Sequence, residues 1–122
     1  MILGVGVDIV QVSRIEKNIS SDTFLNKAFT AAEREYFSSR NNNSQTVAGY
    51  FAGKEAVAKA LGTGFRGFGL TDIEINKDEY GKPMVLLKGK ALERAEAIGV
   101  KSIHLSISHE KEYAVAYAIA EN

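Results

Sequence analysis

Two carboxylates, Asp8 and Glu55, stand where packing alone would favour a small or apolar residue. Asp8 ends the glycine side of MILGVGVDIV, and Glu55 falls on or beside the apolar stripe of a helix. A carboxylate in such a place is costly unless a lysine, a hydrogen-bond network or a metal ion compensates it. Two carboxylates with open positions suit Mg²⁺, which keeps waters and completes its octahedron with substrate phosphates. Mn²⁺ accepts the same oxygen donors, so the residues do not separate the two ions. Each acid also has a structural alternative. Glu55 and Lys59 can form an ordinary i, i+4 helix pair, and Asp8 can end its strand or cap the helix after it. Zinc is disfavoured, because the only histidines are His104 and His109 and no cysteine is present. Ser106, Ser108 and His109 raise serine-nucleophile chemistry, but no nucleophile elbow surrounds them, and neighbours on a strand point to opposite faces. A hairpin histidine is the simpler reading of His109.

These residues need a helix and a strand to position them. Phe51–Gly64, FAGKEAVAKALGTG, reads as the end of a long helix, about Gln45–Leu61, running into a glycine turn. Val47, Ala48, Phe51, Ala52, Val57, Ala58 and Leu61 recur at helical spacing, and Gly62 sits where a left-handed cap stops the helix. Ser44 is the expected N-cap. Ile2–Val10 reads as a strand whose Leu3, Val5, Val7 and Ile9 face the core. Gly4, Gly6 and Asp8 would then leave the other side bare for a ligand.

Between them, Val12–Asn18 and Thr23–Ala28 read as short helices. In FTAAEREYF, Thr30 and Glu33 fit a capping box, with Phe29 as its staple residue and Phe37 facing the core. GTGFRGFG matches the dinucleotide fingerprint literally. However, a helix precedes it and a strand-like alternation follows, which is the wrong context for that motif. The loop could still offer clustered backbone N–H groups to a phosphate. Tyr80–Pro83 turns Thr71–Lys77 back onto Met84–Lys88 as a hairpin. Ala91–Ile98 is an amphipathic helix closed by Gly99. Ser102–Ser108 and Tyr113–Ile119 are the final strands, the latter with a flat alanine face suited to packing on a helix. The class is α+β, one domain over residues 1–122, with a mostly antiparallel sheet packed on the long helix. The two halves of the chain fit a single mixed sheet.

Composition narrows the function. Fifteen basic and fifteen acidic residues cancel, so no global field draws the chain to nucleic acid or an anionic membrane. The start has no basic n-region, which argues against a signal peptide. No stretch approaches the roughly eighteen apolar residues of a membrane span. The expected location is the cytoplasm.

In combination and order the motifs are more specific than any one of them. Gly6-Val7-Asp8-Ile9-Val10, Phe29-Thr30 with Glu33, Phe51-Ala52-x-Lys54-Glu55-Ala56 with Lys59, Gly62-Thr63-Gly64, and Ser106-Ile107-Ser108-His109 with Tyr113-Ala114 follow one another nearly end to end. The chain thus resembles the holo-[acyl-carrier-protein] synthases, the small bacterial 4′-phosphopantetheinyl transferases. The resemblance implies that Asp8 and Glu55 hold Mg²⁺. It implies further that Lys59, Gly62, Thr63, Gly64, Ser106 and His109 line a coenzyme A site. The implied reaction moves the phosphopantetheine arm from coenzyme A to a serine of apo acyl carrier protein. It leaves adenosine 3′,5′-bisphosphate and serves fatty-acid synthesis. Homotrimers with sites shared between neighbours are implied as well. Glu55 is expected to take the serine proton, directly or through a metal-bound water. The role of Lys54 is open, since it points about 100° away from Glu55. Docking of the acidic carrier protein on the first helix would rest on Arg14 and Lys17, helped by Lys27 or Arg34. A non-catalytic coenzyme A binder and a plain oligomeric scaffold are the competing classes.

Overall fold

The computed structural model describes residues 1–122. In chain order the elements are β1 (Ile2–Gln11), α1 (Val12–Asn18), α2 (Asp22–Ala28), α3 (Ala31–Ser39), α4 (Ser44–Ala60), β2 (Ile73–Lys77), β3 (Pro83–Leu87), α5 (Gly89–Ala97), β4 (Ser102–His109) and β5 (Tyr113–Glu121). A single 3₁₀ turn, Leu70–Asp72, leads into β2. All strand pairing is antiparallel, but it forms two sheets instead of the single mixed one expected. One is β1-β5-β4 and the other is the β2-β3 hairpin. Pairing cannot pass from one sheet to the other, because β3 meets β4 without a hydrogen-bonded ladder.

Helix α4 lies across one face of the three-stranded sheet. The flat alanine row makes this possible: Ala114, Ala116, Ala118 and Ala120 are all buried beneath it. Asn43, not Ser44, caps the helix, its side chain accepting from the Thr46 N–H at 3.1 Å. Phe24 and Phe37 pack against Phe51 and Tyr50 of α4, and the Phe29 and Phe37 rings meet edge to face at 4.8 Å. The Thr30–Glu33 capping box is present in both directions. The staple partner of Phe29 is absent, because the position it would meet is Arg34, whose Nη1 donates to the Phe29 carbonyl at 2.6 Å.

The strand β1 is turned over relative to expectation. Its glycine side, not its aliphatic side, faces the core. A Cβ on Gly6 would lie 2.0 Å from the Ala56 carbonyl oxygen, and one on Gly4 would lie 2.0 Å from that of Ala60. The missing side chains therefore admit the backbone of α4, not a ligand. Val5, Val7 and Ile9 are 52, 52 and 65% exposed. With Leu3, Val115 and Tyr117 they form an open apolar face on the far side of the sheet. Alternation identifies which residues share a face but not which face is buried, and the volume of the helix decided that.

Candidate active site

Gly4 and Gly6 bring α4 down onto β1, and Asp8 is the next residue on that same face. It therefore reaches Lys59, the penultimate residue of the helix. Lys59 Nζ lies 3.2 Å from Asp8 Oδ1 and donates to the Val7 carbonyl at 2.9 Å. The lysine side chain remains half exposed and Asp8 only 19% so, leaving the ammonium able to face a second anion. Glu55, one turn earlier on α4, is half-buried. Burial pushes its carboxyl above the usual carboxylate range and Asp8 adds repulsion, while Lys59 and Arg14 pull the other way. Asp8, Glu55, Lys59 and Arg14 thus share one electrostatic neighbourhood, to which β1, α4 and α1 all contribute.

The donor set fits an octahedral oxygen-seeking cation. Two carboxylates repel each other in a partly dehydrated place, and no third histidine, cysteine or acid joins them. Mg²⁺ is held by one or two carboxylates with waters and phosphates completing its shell, whereas a structural zinc would need four protein ligands.

The other expected residues are placed around this centre in different ways. Gly62, at φ +90°, caps α4. Its N–H donates to Lys59 O at 2.9 Å, and the Gly64 N–H donates to Ala58 O at 3.1 Å. The Thr63 hydroxyl donates to the Gly64 carbonyl at 3.0 Å. Two of the three turn amides are therefore spent on the helix, so at this corner Lys59, more than a backbone nest, is the group available to an anion. His109 Nδ1 sits 3.1 Å from Gln45 Oε1. That is ten residues before Glu55, about 15 Å along the helix axis. Ser106 pairs with Tyr117 on the open face of the sheet, so a single chain does not bring it to Asp8. Lys17 is exposed at the end of α1 and Lys27 at the end of α2.

Lys54 was ambiguous by spacing and is settled by packing. It is fully buried, with Nζ 2.6 Å from Glu33 Oε1 and donating to the carbonyls of Leu70 at 2.9 Å and Ile73 at 2.5 Å. Burial pulls its ammonium below the ordinary lysine range, and Glu33 opposes the shift. Nothing in the sequence pairs Glu33 with Lys54, since a capping-box glutamate ordinarily spends its carboxylate on its own helix.

Residues 4–118 match the family model of the 4′-phosphopantetheinyl transferase superfamily. The holo-[acyl-carrier-protein] synthase of Clostridium novyi is 57% identical over 122 residues, covering 99% of this chain and 88% of that protein. Among solved structures, the holo-[acyl-carrier-protein] synthase of Neisseria meningitidis superposes with a TM-score of 0.90 at 36% identity over the whole of both chains. That of Helicobacter pylori, in complex with coenzyme A, gives 0.85 at 31% identity over 96% of this chain and 99% of its own. One from Bacillus anthracis, in complex with CoA (3′,5′-ADP), gives 0.81 at 37% identity over 98 and 96%.

The chain belongs to the 4′-phosphopantetheinyl transferase superfamily, and within it to the enzymes of the holo-[acyl-carrier-protein] synthase type.

Proposed function

We propose that this chain transfers the 4′-phosphopantetheine arm of coenzyme A to a serine hydroxyl of apo acyl carrier protein. The reaction is Mg²⁺-dependent, releases adenosine 3′,5′-bisphosphate and supports fatty-acid synthesis in the cytoplasm. Residues 1–122 act as one catalytic domain. The bond formed joins the serine oxygen to the phosphorus bearing the pantetheine. The bond broken is the one from that phosphorus to the bridging oxygen of the diphosphate, which leaves with the nucleotide.

The observation that carries this reading is the convergence of Asp8, Glu55 and Lys59 at one corner. Asp8 and Glu55 would hold Mg²⁺, which when bound neutralises charge that builds on the phosphoryl oxygens. Lys59, fixed by the Val7 carbonyl and half exposed, faces the same charge and adds electrostatic stabilisation without reorganising. Glu55 accepts the serine proton, directly or through a bridging water. His109, at the far end of α4, and the Gly62–Gly64 corner bound the length over which coenzyme A extends. Arg14 lies close enough to act on Glu55. A carrier protein docked on Arg14 and Lys17 of α1 would therefore present its serine beside the acids.

The open apolar face of the sheet supports assembly into a homotrimer. Ser106 lies on that face, so a neighbour's surface would bring it to a shared site. A contiguous exposed patch of aliphatic and aromatic side chains on a soluble chain marks an association surface.

The test is intact-mass analysis of apo acyl carrier protein incubated with this protein, coenzyme A and Mg²⁺, beside an EDTA control. A gain of one phosphopantetheine arm, abolished by EDTA and by Asp8→Ala, is the expected result. Coenzyme A binding without any gain would make the chain a binding module. Neither binding nor gain would overturn the reading.

A further inference from the structure

The connection between α4 and β2 carries the glycine loop, Gly62–Gly69, on which the proposed coenzyme A site borders. Its two ends are held differently. At the start, Gly62 and Gly64 return their amides to α4, and Arg94 Nε of α5 donates to the Leu61 carbonyl at 3.0 Å. At the other end Lys54 grips both sides of the 3₁₀ turn, while the Asp72 carboxylate accepts from the Gly69 N–H at 3.2 Å. Lys54 Nζ donates to Leu70 O and Ile73 O, on either side of the turn.

That ammonium is also locked to Glu33 at 2.6 Å, with both side chains wholly buried. Glu33 in turn accepts from the Ile75 N–H through Oε2 at 2.7 Å and from the Thr30 N–H through Oε1 at 2.9 Å. One buried ion pair therefore joins the start of α3, the middle of α4, the end of the glycine loop and the start of β2. Every buried side-chain nitrogen and oxygen in the molecule has a partner, so the network holds no spare donor aimed at a substrate. Lys54 adjoins Glu55 in sequence, yet its amine cannot reach the reacting atoms.

We propose that Lys54, oriented by Glu33, is a positioning residue: it clamps the C-terminal end of the Gly62–Gly69 loop to α4 and thereby sets the loop against bound coenzyme A. The loop has three glycines at positive φ, Gly62, Gly64 and Gly67, and a Cβ on Gly64, Gly67 or Gly69 would touch nothing. Between these glycines Phe65 and Phe68 pack partly against the core, so the shape of the loop is set by those two rings and by its ends. The role of the loop toward coenzyme A rests on the proposed function, whereas the clamp itself does not.

Lys54→Met keeps the unbranched apolar stem of the side chain and removes the amine. Its expected effect is at least tenfold faster amide hydrogen exchange across Phe65–Ile73, with β1 and β5 unchanged. The KM for coenzyme A is expected to rise about tenfold, against less than twofold for acyl carrier protein. Val47→Ala, a cavity in the same helix away from the clamp, serves as the comparison for general loss of stability. Should Lys54→Met not fold, Glu33→Gln removes the counter-charge, keeps an acceptor, and is expected to shift both readouts in the same direction. Unchanged loop exchange would overturn the clamp. Faster exchange with KM values rising equally for both substrates, or matched by Val47→Ala, would reduce the pair to a stability element and overturn its positioning role. If the wild-type protein transfers no arm, the functional reading fails while the exchange data still decide the clamp.

Discussion

Lys59 and Asp8 are 51 residues apart in sequence and 3.2 Å apart in space, and the same ammonium also holds the carbonyl of Val7. The strand thus supplies both an acid and a fixed backbone dipole to one lysine, and this pins Lys59 beside the carboxylates in place of a freely moving surface position. The pair is too exposed to matter much for folding. Lys59→Ala is therefore expected to leave the melting temperature within a degree or two and to lower kcat by about 100-fold, the scale of losing one preorganised electrostatic group. Single-turnover transfer rates beside a thermal melt separate the two effects.

Gly6 controls the distance between strand and helix. Gly6→Ala places a methyl 2.0 Å from the Ala56 carbonyl, and neither backbone can yield without moving Asp8 from Glu55. Overpacking of this kind costs about 1–3 kcal/mol, and transfer activity should fall with it. Gly64→Ala is the contrast. It meets no atom and strains only its positive φ, a cost of about 1 kcal/mol. Urea unfolding of the two variants is expected to rank them clearly, and equal losses would contradict the close approach.

Glu55 is set up for binding at the expense of stability. Burial and Asp8 raise its folded carboxyl above the unfolded value. Stability from a raised carboxyl is complete below the unfolded pKa, and it is lost as pH rises through the folded one. In EDTA at neutral pH, Glu55→Gln should therefore melt a few degrees higher than the wild type, and the gap should close at acid pH. Added Mg²⁺ is expected to stabilise the wild type and not the variant. A variant that melts lower at pH 7 would refute the burial argument.

Assembly can be tested on the open sheet face. Val7 and Tyr117 are paired across β1 and β5 and are 52 and 45% exposed. Tyr117→Lys with Val7→Asp is expected to convert a species of about three times 13.3 kDa into the monomer in sedimentation, with loss of transfer activity. A wild type that sediments as a monomer would remove the shared-site reading.

Much of this was legible along the chain. The periodicity of Val47–Leu61, the glycine stop at Gly62, the Thr30–Glu33 capping box and the alanine face of β5 each follow from contacts between neighbours in sequence. Local sterics and hydrogen bonding suffice to set them. The carboxylates also stood out locally, because a charge on an apolar stripe is conspicuous wherever the partner lies.

Tertiary structure decided the rest. Leu3, Val5, Val7 and Ile9 look like core and form an open face, because only glycines let α4 approach β1 closely enough to bury the alanine row of β5. A two-residue period marks two faces identically, and burial is assigned by what packs on them. Lys54 and Glu33 are each ordinary in sequence. Their pairing across 21 positions exists because neither charge can remain in the dehydrated junction of α3, α4 and β2 without the other. Long-range electrostatic compensation leaves no periodic trace in a sequence, so the clamp is visible only once the chain has folded.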